Sequence, residues 1–282
     1  MGAHMRTARS RRLAVELKEF REAAGLNGDQ VAEEMGWSVA KVYRMEGDKV
    51  RILPRDVTRL LRLYQVTGEQ AEAVLELSRQ ARVKGWWHQY SGAIPEWFQF
   101  YVGLEAATNV MHSYDAELVP GLLQSEDYAR AIMATAPDPG TEETDRQMAV
   151  RMERQKRLTS ESPLALWAVL NEAVIRRIVG GPAVTSAQLR HLVQMSELSN
   201  VTVQVLPFDA GAHPAMHGSF KVMRFPEEVD PDVVYLEAQT SALYLEGTED
   251  VDRYSLMFDH LRAQALSPGA SRDLMAQVAG QL

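Results

Sequence analysis

Apolar positions in the first 80 residues recur at helical spacing, in short runs divided by turn residues. In RLAVELKEFREAAGL, Leu13, Leu17 and Phe20 share one face and Gly25 ends the run. NGDQVAEEMGWSVAKVYRME then holds two shorter periods. Asn27 is a good N-cap with Gln30 at capping-box spacing, and Val31, Ala32 and Met35 share a face. Gly36 tolerates a left-handed turn, Ser38 caps the following helix, and Val42 and Met45 are its apolar face. This spacing predicts helix, tight turn, helix, with Val39, Ala40, Lys41, Tyr43 and Arg44 facing outward, the helix-turn-helix pattern. An ordinary αα-hairpin in a bundle has the same spacing. LPRDVTRLLRLYQV predicts a fourth helix with Val57, Leu60, Leu61 and Tyr64 inward. TGEQAEAVLELSRQARVKG predicts a fifth, opened by a Thr67–Gln70 capping box and closed near Gly85.

The pattern then changes. Trp86, Trp87, Tyr90, Trp97, Phe98, Phe100 and Tyr101 fall within sixteen positions. Beyond them, helices are expected near 98–113, 125–134, 141–158, 186–198, 249–264 and 271–280, the last capped by Ser271. Strands are expected at LALWAVL, VTVQVLP, SFKVMRF, VVYLEA and ALYLE. The predicted fold class is an N-terminal all-α helix-turn-helix bundle plus a C-terminal α+β domain with a small, mostly antiparallel sheet. The expected divisions are 1–11, an expression remnant (MGAHM) and a basic arm; 12–84, the bundle; 85–101, an aromatic linker or seam; and 102–282, a regulatory and dimerisation domain.

Charge sharpens this division. Residues 1–84 carry 16 Lys and Arg against 12 Asp and Glu, and the remainder 14 against 26. A basic face on a chain of net charge −8 suits specific DNA binding with weak nonspecific attraction. Arg6, Arg9, Arg11 and Arg12 read either as an arm that follows DNA or as a solubilising tail. The aromatic stretch has no such partner: no Lys or Arg lies between Lys84 and Arg130. Single-strand stacking is therefore disfavoured, and Trp86, Trp87 and Trp97 read as an interface between domains or protomers. The absence of cysteine removes disulfides and thiolate metal sites and suits a reducing cytoplasm. No apolar run reaches membrane-helix length, so no membrane partner is expected.

FREAAGLN, QVAEEMGWS, KVYRMEG and LLRLYQV, in this order, resemble the phage-repressor-like (Cro/XRE) DNA-binding domain. The resemblance implies that the third helix enters the major groove, with Val39, Ala40 and Arg44 reading bases. It places Asn27, Ser38, Lys41, Tyr43, Lys49 and Arg51 near the backbone and makes Arg21 and Glu46 a buried structural ion pair. Many relatives have Gln or Ser at positions 39 and 40, so here Arg44 carries more of the readout, with Val39 suited to a thymine methyl.

After Trp86, GLEAATNVMHSYDAELVPGLLQSEDYARAI, RMERQKRL, NEAVIRRIVGG, QLRHLV, VTVQVLPFDAGAHPAMHGSF and VVYLEA resemble a group of actinobacterial regulators, the Scr-antitoxin-like or WhiJ-type family. That implies a regulator of development or secondary metabolism, often paired with a small protein encoded nearby.

No catalytic or metal constellation is evident. His213 and His217 are four apart, but Pro214 and Gly218 favour a loop and no third ligand is suggested. Ser219 lacks a nucleophile-elbow sequence. Glu105, Glu172 and Glu237 read as structural carboxylates rather than an acid–base pair. VPGLLQSEDY predicts a turn at Pro120–Gly121 into a helix capped by Ser125. The resulting expectation is a non-enzymatic, cytoplasmic transcription regulator, nucleoid-associated when bound, with no cofactor. It binds double-stranded DNA as a homodimer on an inverted repeat, under a small cognate protein or a small-molecule effector. The alternative is an antitoxin-like module whose main role is to bind that small protein.

Overall fold

The computed structural model describes residues 8–81, 86–90, 92, 94–136, 140–225 and 232–282. The chain divides into a helical unit, residues 1–91 with 98–107, and a second unit, residues 92–97 with 108–282.

The helical unit contains α1 (Ala8–Ala23), α2 (Gly28–Met35), α3 (Val39–Glu46), α4 (Pro54–Leu63) and α5 (Gly68–Gln80), with most of α6 (Glu96–Ala107). Its core joins Leu13 and Leu17 to Val31, Met35, Val42, Met45, Val57, Leu60 and Leu61. Each such side chain contributes about 1.5–3 kcal/mol on full burial. That burial fixes short helices that would not persist alone.

Two details of the first turns differ from the sequence reading. Arg9, Arg11 and Arg12 are not an arm, because α1 begins at Ala8. Arg11 is buried and Arg12 Nε lies 2.9 Å from Glu16 Oε1, an i,i+4 pair that favours helix. Arg6 lies outside the described residues. At α5, Thr67 is the N-cap residue but makes no side-chain capping bond. Gly68 enters the helix with φ +67°, a left-handed backbone that takes Thr67 out of capping-box geometry.

The second unit is built on one six-stranded sheet. Its strands are β1 (Val110–Asp115), β2 (Ala165–Asn171), β3 (Val201–Leu206), β4 (Phe220–Arg224), β5 (Val233–Glu237) and β6 (Ala242–Leu245), in the order β3-β2-β1-β4-β5-β6. β1 pairs parallel with β2, and β2 with β3. β4 pairs antiparallel with β1, β5 with β4 and β6 with β5. The sheet is therefore mixed, which corrects the mostly antiparallel expectation. The physical reason is β1. Its residues were expected to continue a helix through 113, but the helix ends at Ala107 and Val110–Asp115 pairs on both edges.

The connection from β1 to β2 passes through α7 (Glu126–Met133) and α8 (Thr141–Gln155). The connection from β2 to β3 passes through α9 (Glu172–Arg176) and α10 (Pro182–Met195). These are crossovers of the length that parallel strands require. Helix α11 (Thr248–Gln264) covers one sheet face, where Phe258 and Leu261 pack with Tyr114, Val169, Val222 and Val234. Helix α12 (Pro268–Gln281) starts four residues earlier than its expected Ser271 cap permits. Ser267 is the cap, its Oγ accepting from Ala270 N, while Ser271 is buried and its Oγ accepts from Val205 N at 2.9 Å. Ser125 stands at the N-cap of α7 without a side-chain capping bond.

Candidate nucleic-acid interface

The α2–α3 pair is held by its ends. Asn27 Oδ1 accepts from Gln30 N at 2.9 Å, and Gln30 Oε1 accepts from Asn27 N at 2.8 Å, a reciprocal cap. Gly36 ends α2 with φ +68°, and Ser38 Oγ accepts from Lys41 N at 3.2 Å to open α3. With Val42 and Met45 turned into the core, Ala40, Tyr43 and Arg44 remain exposed on α3. Val39 is half-buried and packs on the core edge. Arg44 Nε donates to Ala40 O at 3.1 Å, steadying its side chain along the helix.

Tyr43 reaches back across the turn to α2. A Cβ on Gly28 would stand 2.8 Å from its ring carbon Cζ and 2.9 Å from its hydroxyl. The phenol thus lies against the first turn of α2, where unpaired N–H groups give a partial positive charge. Lys49 and Arg51 are exposed in the segment after α3. Buried Asp48 anchors that segment: its Oδ2 accepts from Ser10 Oγ at 3.0 Å, with its own φ at +47°.

Lys41 is placed differently from the other backbone candidates. Its Nζ is 3.3 Å from Asp56 Oδ2 and 3.4 Å above the Trp37 ring centroid. Arg59 lies 5.6 Å from the same ring and donates from Nη2 to Met35 O at 3.0 Å. Trp37 is therefore flanked by two cations, and part of Lys41's charge is already answered. None of Gly28, Trp37, Asp56 and Arg59 was singled out from sequence. Trp37 and Lys41 have i,i+4 spacing, which could have suggested contact; Asp56 is fifteen positions from Lys41 and gave no local signal.

Arg21 and Glu46 meet beneath this surface. Arg21 Nε and Nη2 donate to the two Glu46 carboxylate oxygens at 2.7 and 3.0 Å, and Nη1 donates to Leu26 O at 2.8 Å. Their side chains are 9% and 8% exposed, so Glu46 depends chiefly on Arg21, whose Nη2 also donates to Glu22 Oε1 at 3.2 Å. The hydrogen bond to Glu46 raises the Arg21 pKa above its ordinary value. Burial, then the nearby Glu46 charge, raises that of the Tyr64 phenol.

The three tryptophans expected at an interface fall in two settings. Trp87 is buried, and its indole would be 3.1 Å from a Cβ on Gly103, both within the helical unit. Trp86 meets Trp87 and Tyr90 edge-on. In the second unit, Trp97 O accepts from Tyr244 Oη at 2.7 Å.

Elsewhere, candidate chemistry is dispersed. Glu105 accepts from Tyr101 Oη at 2.7 Å, Glu172 from Arg176 Nε and Phe208 N, and Glu237 from Tyr235 Oη at 3.0 Å. His213 and His217 share no helix. Among the described residues no three His, Cys, Asp or Glu side chains converge as a metal ion would require. Among them, too, no helix is long and apolar enough to cross a membrane.

A capped helix, a glycine turn and a second helix with one exposed face define a helix-turn-helix domain, the mark of a DNA-binding regulator. A family profile described as "Helix-turn-helix domain" matches residues 12–74. A second profile, described as "Domain of unknown function (DUF5753)", matches residues 98–277, and the chain belongs to that family. Comparison with curated proteins and with solved structures found no match.

Proposed function

We propose that this protein is a sequence-specific transcription regulator that reads double-stranded DNA with α3 and acts by binding, not turnover. The observation that carries the reading is the exposed α3 face, held by caps at Asn27 and Ser38 and bearing Arg44. In the major groove Arg44 would bond guanine, with Val39 and Ala40 against neighbouring base edges. Asn27, Ser38, Tyr43, Lys49 and Arg51 would meet the sugar-phosphate backbone. Lys41 would do so only by exchanging Asp56 for phosphate.

A helix-turn-helix monomer covers few base pairs, so we assign the protein a homodimer on an inverted repeat, with half-sites about 10–10.5 base pairs apart. The second unit would receive the controlling signal, from a small cognate protein or a small effector. The cell compartment would be the cytoplasm. The actinobacterial and developmental associations of the sequence resemblance belong to this proposal as well.

Selection of the full-length protein on random duplex DNA, with stoichiometry measured on the enriched sites, tests the reading. An enriched inverted repeat holding two chains supports it. Enrichment of nothing, or of a single half-site holding one chain, contradicts it.

A further inference from the structure

Four exposed apolar side chains gather where the three parallel strands end. Leu118 follows β1, Ile178 follows β2 and α9, Phe208 follows β3, and Met216 lies in the loop before β4. Contacts between the segments that carry them bring them to one edge of the second unit. Arg177, next to Ile178, pairs with Glu117, next to Leu118. The two Glu172 carboxylate oxygens accept from Arg176 Nε at 2.6 Å and from Phe208 N at 2.7 Å, which fixes Phe208 beside α9. The loop bearing Met216 is tied to the end of β1 on both sides. His213 Nε2 lies 3.4 Å from Tyr114 Oη, and Ser219 Oγ accepts from Ala116 N at 2.9 Å. The four are most of the seven large apolar side chains exposed among the described residues of this unit, so the exposure is concentrated. Phe208 and Met216, at 59% and 69% the most exposed, are of the types enriched at interfaces between chains.

Charge narrows the occupant. After residue 84 the chain carries 14 Lys and Arg against 26 Asp and Glu, so two copies of this part repel at long range. They approach with least repulsion where charge balances locally. It does so here: Glu117 pairs with Arg177, Glu172 with Arg176 and Asp115 with Lys221. DNA would meet the exposed carboxylates of Glu117 and Asp209, and a strongly cationic partner the half-exposed guanidinium groups of Arg176 and Arg177.

Two ionic groups at the edge are left over, of opposite sign. Exposed Asp209, next to Phe208, has no ion pair among the described residues. Arg176 engages Glu172 through Nε alone, and its two Nη groups bond no described acceptor. Within one chain Arg176 and Asp209 do not pair. A two-fold interface sets a surface against itself, so residue i of one copy meets residue j of the other and j meets i. This patch is complementary to itself in that sense, apolar groups against apolar groups and Arg176 against Asp209.

We propose that a second copy of the chain docks at this edge, with Phe208 and Met216 central and two Arg176–Asp209 pairs crossing the two-fold axis. The inference rests on the homodimer of the proposed function and adds the surface at which its chains meet.

Sedimentation of the full-length protein without DNA tests it, with binding to a half-site from the selected sequences measured alongside. The native chain should sediment as a dimer. Phe208→Ser and Met216→Ser should each weaken dimerisation by about tenfold or more. Leu256→Ser, at an exposed leucine on α11, should leave it unchanged. Arg176→Asp and Asp209→Arg each set like charges against one another across the axis, so each alone should be largely monomeric. Mixed in equal amounts they should dimerise again, because both crossing pairs are then of opposite sign. A monomeric native chain would overturn the homodimer and this interface together. A native dimer that persists in Phe208→Ser and Met216→Ser would put the interface elsewhere and leave the edge to another partner. Charge variants that dimerise alone, or that melt normally and stay monomeric when mixed, would overturn the crossing pairs. Half-site binding that survives any of these failures leaves the reading by α3 standing.

Discussion

The two units keep their ionic groups differently. In the helical unit, Arg44 on α3 and Lys49 and Arg51 in the segment after it stand exposed beside a small set of internal pairs, and Arg9, Lys18, Arg55, Arg62 and Arg79 are exposed elsewhere on the unit. In the second unit, Arg177 pairs with Glu117, Arg176 with Glu172 and Lys221 with Asp115 near the carboxyl ends of the parallel strands, where Leu118, Ile178, Phe208, Met216 and Asp209 are exposed. Exposed cations on a rigid helix suit a polyanion. Under the proposed reading, DNA contact belongs to the helical unit, and substitutions in the two units should have separable effects.

The largest expected effect lies beneath the reading surface. Glu46→Ala leaves Arg21 buried without its bidentate partner, at a cost of about 3–5 kcal/mol. Denaturant titration should show the helical unit unfolding early while the second unit's transition keeps its midpoint. A normal midpoint for the helical unit would mean that the pair contributes little.

The second effect belongs to the other unit. His112 on β1 stacks on Phe258, with ring centroids 4.5 Å apart, and meets Trp167 edge-on. Burial first, then Arg224 and Arg262, lowers its pKa from 6.5 to about 4, against a smaller opposing effect of Asp259. Between those values the unfolded chain binds the proton more readily than the folded one. Stability is therefore fully present above about pH 6.5 and falls as pH drops toward 4, by about 3 kcal/mol at most. Buried Asp115, whose pKa is raised chiefly by desolvation, acts in the opposite direction. The comparison must therefore be with His112→Gln. The variant's second transition should lose the acid slope that the native protein shows, whereas identical slopes would remove His112 as its source.

That central strand also shows where the sequence was legible and where it was not. Val31, Ala32, Met35, Val42 and Met45 repeat at helical spacing, and all five are buried in the helical unit's core. β1 carries His112, Ser113 and Asp115 in a central position and follows directly on the helical GLEAATN. Its polar groups are satisfied by the fold itself: Ser113 bonds Asp115, and Lys221 lies across from it. Such partners are 2 and 106 positions away and leave no periodic signal. With β1 read as helix the parallel β1–β2 pairing cannot be foreseen, although LALWAVL and VTVQVLP, which become β2 and β3, both read as strands. The Lys41–Asp56 contact is likewise a product of tertiary placement.

Two smaller effects bear on the reading surface from opposite sides. Gly28→Ala puts a methyl where Tyr43 rests and should turn the phenol away from the α2 N-terminus. Stability should change by less than about 1 kcal/mol, since Tyr43 is exposed and can move. DNA affinity should fall uniformly across sequences, with the salt dependence unchanged, because a neutral phenol releases no counterion. Asp56→Asn should do the reverse. It frees Lys41 for phosphate, so nonspecific affinity should rise and the salt dependence steepen by about one ion. An unchanged affinity in Gly28→Ala would place Tyr43 away from the DNA backbone, and an unchanged slope in Asp56→Asn would do the same for Lys41.

The central claim is that α3 reads base edges, and Arg44 is the strongest donor on its exposed face. The most direct measurement is the complete base-preference profile of the native protein, Arg44→Ala and Lys49→Ala, all at one salt concentration. Arg44→Ala should lose about 1–3 kcal/mol at the preferred operator and relax the preference at one base pair in each half-site. Lys49→Ala should weaken every sequence alike and keep the profile. An unaltered profile in Arg44→Ala would contradict the placement of α3 in the groove.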